Sequence, residues 1–323
     1  MHAFLNSSFK LGSLTLGNRL IQGPLAGYSC APFRILFNQY ASPAYCVTEM
    51  SSATDILYKH SANSRYIYRA PEEQILAYQI AGTEPHILAQ AAQRLQLHGA
   101  DIIDINCGCP KPKIRKKGAG SALLDVPEQL VQIIKEVRAA ITIPLTIKIR
   151  IQGNKQDLVL AKQIEEAGAD ALIVHGRRWI DDYDVASDLQ QIAQIKQGIT
   201  IPVIANGDIH DVTSLQRAIE VSGCDAYMIS RAGTGKPWLY QQLLQQSHGV
   251  VNLDEKINLF MHHLQGLAAL ENEYKAILQS KSLVRYYFGL MFDASLLQRF
   301  YQLDSLEKIH QFFAVFTTDP VII

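Results

Sequence analysis

The chain has 323 residues, 48% of them apolar and 19% charged, and its 30 basic and 30 acidic side chains cancel. That composition supplies a large core, argues against a disordered chain, and gives no support to a protein whose whole surface binds nucleic acid or an anionic membrane, although a local basic patch stays open. Five cysteines (Cys30, Cys46, Cys107, Cys109, Cys224) make no disulfide-like framework, which fits a reducing compartment. The opening MHAFLNSSFKLGS lacks the apolar stretch of a secretory signal, and no run of about 18 apolar residues marks a transmembrane helix. The expectation is a soluble cytoplasmic protein, monomeric, with no membrane partner and no metal.

In chain order, short apolar runs predict strands at 19–24 (RLIQGP), 44–50 (AYCVTEM), 75–82 (ILAYQIAG), 101–106 (DIIDIN), 143–150 (IPLTIKIR), 169–177 (ADALIVHGR), 201–208 (IPVIANGD) and 224–231 (CDAYMISR). Amphipathic stretches such as EPHILAQAAQRLQLHG and VPEQLVQIIKEVRAA separate them. HGAD, AGAD and SGCD each stand before a strand, where glycine closes one helix and the next strand starts at once. Eight β-α units point to an α/β protein of the (β/α)8 TIM-barrel class; an open doubly wound sheet is the alternative. After about residue 250 the strand signal ends and helical stretches such as DEKINLFMHHLQGLAALENEYKAILQ take over. The expected division is a barrel over 1–245 and a small C-terminal all-helical domain over 246–323.

A barrel enzyme works at the C-terminal ends of its strands. Here those ends carry Gln79, Asn106, Lys148, His175, Asn206 with Asp208, and Arg231, while Pro24-Leu25-Ala26-Gly27 and Glu49 close the first two. Side chains alternate along a strand. Asp104 and Asn106 therefore share a face opposite Ile103 and Ile105, Thr146 goes with Lys148, and Ile173 with His175. One polar strand end is an ordinary solvated rim residue; six aimed at one mouth are harder to dismiss. ANGDIHD and SRAGTGKPW occupy the last two loops, where barrels often hold phosphate, although glycine serves any tight turn. Lys148 suits polarising a carbonyl, neutralising an anionic ring, or forming a Schiff base, so an aldolase stays open on that residue alone.

The stretch DINCGCPKPKIRKKGAGSALL, residues 104–124, follows the fourth strand with Lys111, Lys113, Arg115, Lys116 and Lys117 and no acidic residue until Asp125. Cys107 shares the parity of Ile103 and Ile105, so it should turn toward the helices as a packing residue. Cys109, beyond Gly108, can reach over the mouth. The pair is a poor zinc motif without a second ligand pair. The basic run reads either as an RNA-phosphate contact or as a solvated face. Arg177 and Arg178 flank the same mouth, and KSLVRYYFGLMF in the tail offers Lys281 and Arg285 one helical turn apart.

These residues resemble the tRNA-dihydrouridine synthases, especially the bacterial B-like branch. The likeness runs from about Gly17 to Trp238 through NRLIQGPLAGYSCAPFR, VTEM, QIAG, DINCGCPKPKIRKKGAGSALL, IKIR, HGR, IPVIANGDI, GCDAYMISRA and GKPW. The block around Cys109 is the most specific. The resemblance implies FMN, NADPH (or NADH) as reductant, and a uridine in the D-loop of tRNA as substrate. It assigns Pro24, Leu25 and Ala26 to the border of the flavin ring, Gln79 and Lys148 to ring contacts, and His175 to positioning. Asn206, Gly207, Asp208, Ser230 and Arg231 go to the ribityl phosphate, and Cys109 is the proton donor. Asn106 is a substrate contact, and Lys113, Arg115, Lys117, Arg177, Arg178, Lys281 and Arg285 are tRNA contacts. The chain departs from the family pattern at Ile151–Asn154, Arg178 and Ser230. The chemistry agrees with the assignment: hydride at C6 of the uracil ring leaves charge toward C5 and O4, and a thiol, pKa about 8.5 when unperturbed, is mostly protonated at neutral pH and can quench it. The alternatives are a flavin barrel acting on a free small molecule, of dihydroorotate dehydrogenase type, and a non-catalytic tRNA-binding protein.

Overall fold

The computed structural model describes residues 1–247 and 249–318. Two short antiparallel strands, β1 (Phe9–Leu11) and β2 (Leu14–Leu16), precede the barrel. Eight parallel strands then close on themselves: β3 (Leu20–Gln22), β4 (Cys46–Val47), β6 (Leu76–Ala81), β7 (Ile102–Cys107), β8 (Leu145–Arg150), β9 (Ala171–His175), β10 (Val203–Asn206) and β11 (Ala226–Ile229). β3 pairs with β11 on one side and β4 on the other, and β4 pairs with β6, which completes the ring. β5 (Ser51–Ser52) is a two-residue addition on the end of β6. The TIM-barrel expectation holds, and the open sheet is excluded by the closure.

Local chemistry explains the connecting helices. The helix Pro85–Leu97 starts on proline, whose missing N–H costs nothing there, and buries Leu88, Ala91, Ala92 and Leu95 on one stripe. The helix Val212–Ser222 is opened by Asp211, which accepts from the Ser214 N–H, and closed by Gly223 at φ +59, a left-handed position that glycine takes without strain.

The β1–β2 hairpin is absent from the sequence reading. Each strand has three residues, too few for alternation to register. It exists because Phe9, Leu11 and Leu16 pack with Ile21, Ile102, Ile173 and Ile204 in the barrel interior, and so cover its floor. The tail also differs in detail. The long helical stretch from 254 onward is two helices, Leu253–Leu270 and Glu273–Phe288, and Asn272 between them caps the second by accepting from the Lys275 N–H. With Ala294–Tyr301 and Leu306–Thr318 they build a second apolar cluster around Phe260, Phe288, Phe300 and Phe313, which Cys30, Leu36 and Trp238 join from the barrel side. The helix Leu239–Gln245 belongs to the barrel's own cluster. No helix among the described residues is long and apolar enough to cross a membrane.

Candidate active site

Period-two alternation places the site. On β9, Ala171 and Ile173 face the barrel interior with Ile204 and Ala226, and His175 is the next inward residue. The same step along the other strands gives Glu49, Gln79, Asn106, Lys148, Asn206 and Ser230. All of these but Glu49 line one cavity of 820 Å³ at the C-terminal end of the barrel, with Pro24, Leu25, Ala26, Cys109, Arg177, Gly207, Asp208, Arg231 and Arg285.

The polar groups are wired together. Asp104, fully buried, accepts from Gln79 Nε2 at 2.6 Å and from Thr146 Oγ1 at 2.6 Å; Gln79 Oε1 accepts from Asn106 Nδ2 at 2.9 Å. Lys148 Nζ donates to Asn206 Oδ1 at 3.0 Å, and Asn206 Nδ2 donates to the Met228 carbonyl. Burial displaces the protonation of each titratable member, because a low-dielectric surround penalises the charged form. It raises Asp104 from 3.8 to about 6, against the hydrogen bonds and the Lys148 charge. It lowers Lys148 from 10.5 to about 8. Burial, with Lys148, Arg150, Arg177 and Arg231 around it, lowers His175 to about 2. His175 is therefore a neutral imidazole at any physiological pH.

The Cys109 turn is held on three sides. Asn106 Oδ1 accepts from the N–H groups of Gly108 (3.2 Å) and Cys109 (2.9 Å), Arg150 Nε donates to the Gly108 carbonyl at 2.9 Å, and Ser121 donates to the Cys109 carbonyl through both its N–H and its hydroxyl. Gly120 lies at φ +63, and a Cβ there would stand 2.8 Å from the Cys109 carbonyl oxygen, so only glycine lets the returning chain pass so close. Cys109 is half-buried on the cavity, whereas Cys107 is fully buried in the outer cluster against the helices, as parity predicts.

At the far side of the cavity, Gly207 lies at φ +129 and Asp208 at φ +54. Arg177 donates to both Asp208 oxygens, at 2.7 and 2.8 Å, and the Ser187 N–H donates to Asp208 as well. Arg177 is 2% exposed, and its Nη1 has no partner within the protein. Arg231 is exposed, with its guanidinium 3.5 Å from the Tyr183 ring centroid.

Several expected RNA contacts are placed differently. Arg177 is buried and paired to Asp208, so it braces the loop after β10 and presents no charge to a surface partner. Arg115 is tied to Asp125 and Ser121 and lies against the Trp179 ring. Arg178 is exposed but paired with Asp181. Lys113 and Lys117 are exposed with no carboxylate partner among the described residues. Arg285 reaches the cavity rim and donates to Tyr301, while Lys281 is half-buried and does not line the cavity.

The sequence reading missed Arg150, Tyr28, Tyr183 and Lys236, which also line the cavity. Arg150 was available, since it shares the parity of Lys148. The others sit in loops, where no period points at the barrel. A further link was invisible: the Gly27 carbonyl accepts from Gln279 Nε2 at 2.8 Å, its N–H is bound by Glu49, and Arg65 joins Glu49 to Glu271. The tail thereby holds the loop that carries Leu25 and Ala26.

The sequence profile of the dihydrouridine synthases matches residues 21–309. A tRNA-dihydrouridine synthase B of Vibrio vulnificus is 38% identical over 273 residues, covering 82% of this chain and 84% of its own. That of Vibrio cholerae is 35% identical over 314 residues, covering 92% and 97%, and that of Pseudomonas aeruginosa 40% over 240 residues, covering 73% and 72%. Among solved structures, a morphinone reductase superposes with a TM-score of 0.55 at 14% identity, over 78% of this chain and 92% of its own. A 2-naphthoyl-CoA reductase gives 0.59 at 13% identity, over 76% and 53%. At such identities the structural likeness is one of barrel fold.

Proposed function

The chain belongs to the dihydrouridine synthase family, and from that premise we propose that its barrel mouth is where a tRNA uridine is reduced, with Cys109 as the proton donor. The protein is a flavin-dependent tRNA-dihydrouridine synthase that uses FMN and a reduced nicotinamide. The target uridine is assigned to the D-loop, and NADPH or NADH is the reductant.

The residues present fit FMN. The exposed guanidinium of Arg231 supplies donors at one end of the cavity, which Arg177 also lines, and this suits a phosphate. Gly207 is packed so tightly that a Cβ would stand 2.5 Å from Ser187 Oγ, so the backbone itself forms the wall there. Pro24, Leu25, Ala26 and Met228 give the apolar border a flat ring needs. Gln79, Lys148 and His175 would meet the ring's polar edge. Asn206, Gly207, Ser230 and Arg231 would hold the phosphate arm. Asp208 would take part through its backbone, because its carboxylate is already committed to Arg177. When bound, FMN supplies the hydride that saturates C6 of the uracil ring.

The chain's own residues do the rest. The Asn106, Arg150 and Ser121 contacts fix the Cys109 turn, so its thiol can give a proton to C5 without searching for position. Lys148 lines the same cavity as Cys109, and its amine, with hydrogens left after the bond to Asn206, stabilises negative charge forming in the mouth. The exposed Lys113 and Lys117 beside the turn, Arg285 at the rim and the 246–323 tail receive the tRNA backbone and body.

The observation that carries this reading is one cavity holding the braced Cys109 turn, Lys148 and the Arg231 end together. The test is dihydrouridine mapping of tRNA from cells with and without the protein, with the purified protein assayed on unmodified tRNA. A D-loop dihydrouridine that appears only with the protein is expected. Identical maps would overturn the substrate assignment, and a colourless protein that takes up no FMN would overturn the cofactor assignment.

A further inference from the structure

We propose that Trp179, in the loop that leaves β9, is a stacking site for an unpaired base next to the uridine being reduced; the proposal rests on the reading of the mouth given above. Large apolar side chains are rarely left in water on one short loop without use. Here Trp179 is 41% exposed, Ile180 58%, Tyr183 58% and Val185 44%. The loop is fixed, because the Arg178 carbonyl accepts from Arg150 Nη1 at 2.9 Å, and the same Arg150 holds the Gly108 carbonyl of the Cys109 turn. Trp179 is held from behind as well. The Arg115 guanidinium lies 3.8 Å from its ring centroid, and Arg115 is itself anchored by Asp125 and by Ser121, whose hydroxyl also bonds the Cys109 carbonyl.

This is a braced aromatic plate beside the reactive turn, backed by a cation on one face. A base stacks well on such a plate. A uridine that enters a barrel mouth must leave its neighbours, and its neighbours then lose a stacking partner. An exposed ring beside the reactive turn replaces that partner. The charges separate this role from phosphate binding. Asp182 and Asp184 are exposed in the same loop and repel phosphate, whereas Lys113, Lys116 and Lys117 are exposed on the neighbouring turn. The backbone belongs on the lysines and the base on the tryptophan.

The chain has two tryptophans, and the other, Trp238, is 8% exposed. The experiment titrates unmodified tRNA into the flavin-loaded full chain, wild type and Trp179→Phe, and follows tryptophan emission. It then measures dihydrouridine formation for wild type, Trp179→Phe and Trp179→Leu. tRNA should change emission in wild type and leave the Phe variant, which reports Trp238 alone, nearly unchanged. Trp179→Leu should raise KM for tRNA about five- to a hundred-fold. Trp179→Phe should recover most of that loss, and flavin reduction by NADPH should be equal in all three. Unchanged emission in wild type, or a Leu variant with normal KM, overturns the stacking site and leaves the reading of the mouth intact. A Leu variant that loses flavin or slows its reduction shows that the ring is a structural brace and overturns the proposal too. A wild-type protein that neither binds nor reduces tRNA overturns the reading itself and this proposal with it.

Discussion

On β9, Ala171 and Ile173 face the barrel axis among apolar neighbours, and His175, the next inward residue, opens on the cavity. β6 makes the same change from Ala77 to Gln79, β10 from Ile204 to Asn206, and β7 from Ile102 to Asp104 and Asn106. One inward step is about 6.6 Å along a strand. Over that distance the interior passes from a floor held by shape to a mouth held by hydrogen bonds. The floor carries Tyr45, which burial keeps as a neutral phenol, whereas the mouth gathers Asp104, Lys148 and His175, all shifted by burial first. The same strands therefore carry stability and chemistry at different heights, and substitutions at the two levels should have separable effects.

The largest separation is expected from Cys109→Ala. It leaves the braced turn and the floor untouched and removes only the thiol. FMN retention, reduction by NADPH and tRNA binding should survive. Single-turnover flavin reoxidation by tRNA should slow about 10²–10⁴-fold, the usual contribution of a general acid. Normal reoxidation would remove Cys109 from the chemistry.

The floor answers with Ile173→Ala. Its side chain is fully buried among Ile102, Ile204 and Ala226. Losing it should cost about 2–5 kcal/mol of stability in urea unfolding, with turnover per folded, flavin-loaded molecule unchanged. A rate loss as deep as that of the thiol variant would mean that floor and mouth are not separable. Arg231→Ala, at the mouth's anion end, should weaken FMN retention about ten- to a hundred-fold, since a charged hydrogen bond contributes roughly 1.5–3 kcal/mol. Unchanged flavin occupancy after dialysis would sink the phosphate assignment there.

Both levels were largely legible in the sequence, because alternation fixes which residue of a strand looks inward. Lys148, His175 and Asn106 fall where parity puts them. What was not legible depends on partners far along the chain. Arg177 reads as a free charge until Asp208, 31 residues on, takes it. Asp104 gains its role from Gln79 and Thr146 on the flanking strands. Trp179 and Tyr183 lie in a loop, where no period assigns a face. The β1–β2 hairpin was missed because three-residue strands carry too little pattern.

Lys148 gives a pH test of the mouth. Burial brings its folded-state pKa from 10.5 down to about 8, while the unfolded chain keeps an ordinary lysine. Between about 8 and 10.5 the unfolded state binds the extra proton, so this group makes stability rise with pH across that window. Below pH 8 the folded protein bears the full cost of the buried ammonium. Lys148→Met removes the cost at neutral pH and leaves Asn206 Oδ1 without its donor, a loss of about 1–3 kcal/mol that does not change with pH. In flavin-free protein the Met variant should therefore gain on wild type at pH 7 relative to pH 10.5. Parallel stability curves across that range would show that the amine is not buried as described.

The smallest effect should come from Cys107→Ala, two residues from the largest. Cys107 shares a strand and a residue type with the reactive turn but faces Ile105 and Ile149 in the outer cluster. Burial pushes its thiol pKa far up, so it holds its proton at all working pH and has no route to the cavity. Replacing sulfur by hydrogen leaves a void smaller than the one a leucine truncation makes, and the cost should be about 1 kcal/mol in urea unfolding. Flavin reoxidation by tRNA should keep its wild-type rate. If Cys107→Ala stalls reoxidation while Cys109→Ala does not, alternation along β7 fails as a guide to the site, and the contrast between floor, wall and mouth fails with it.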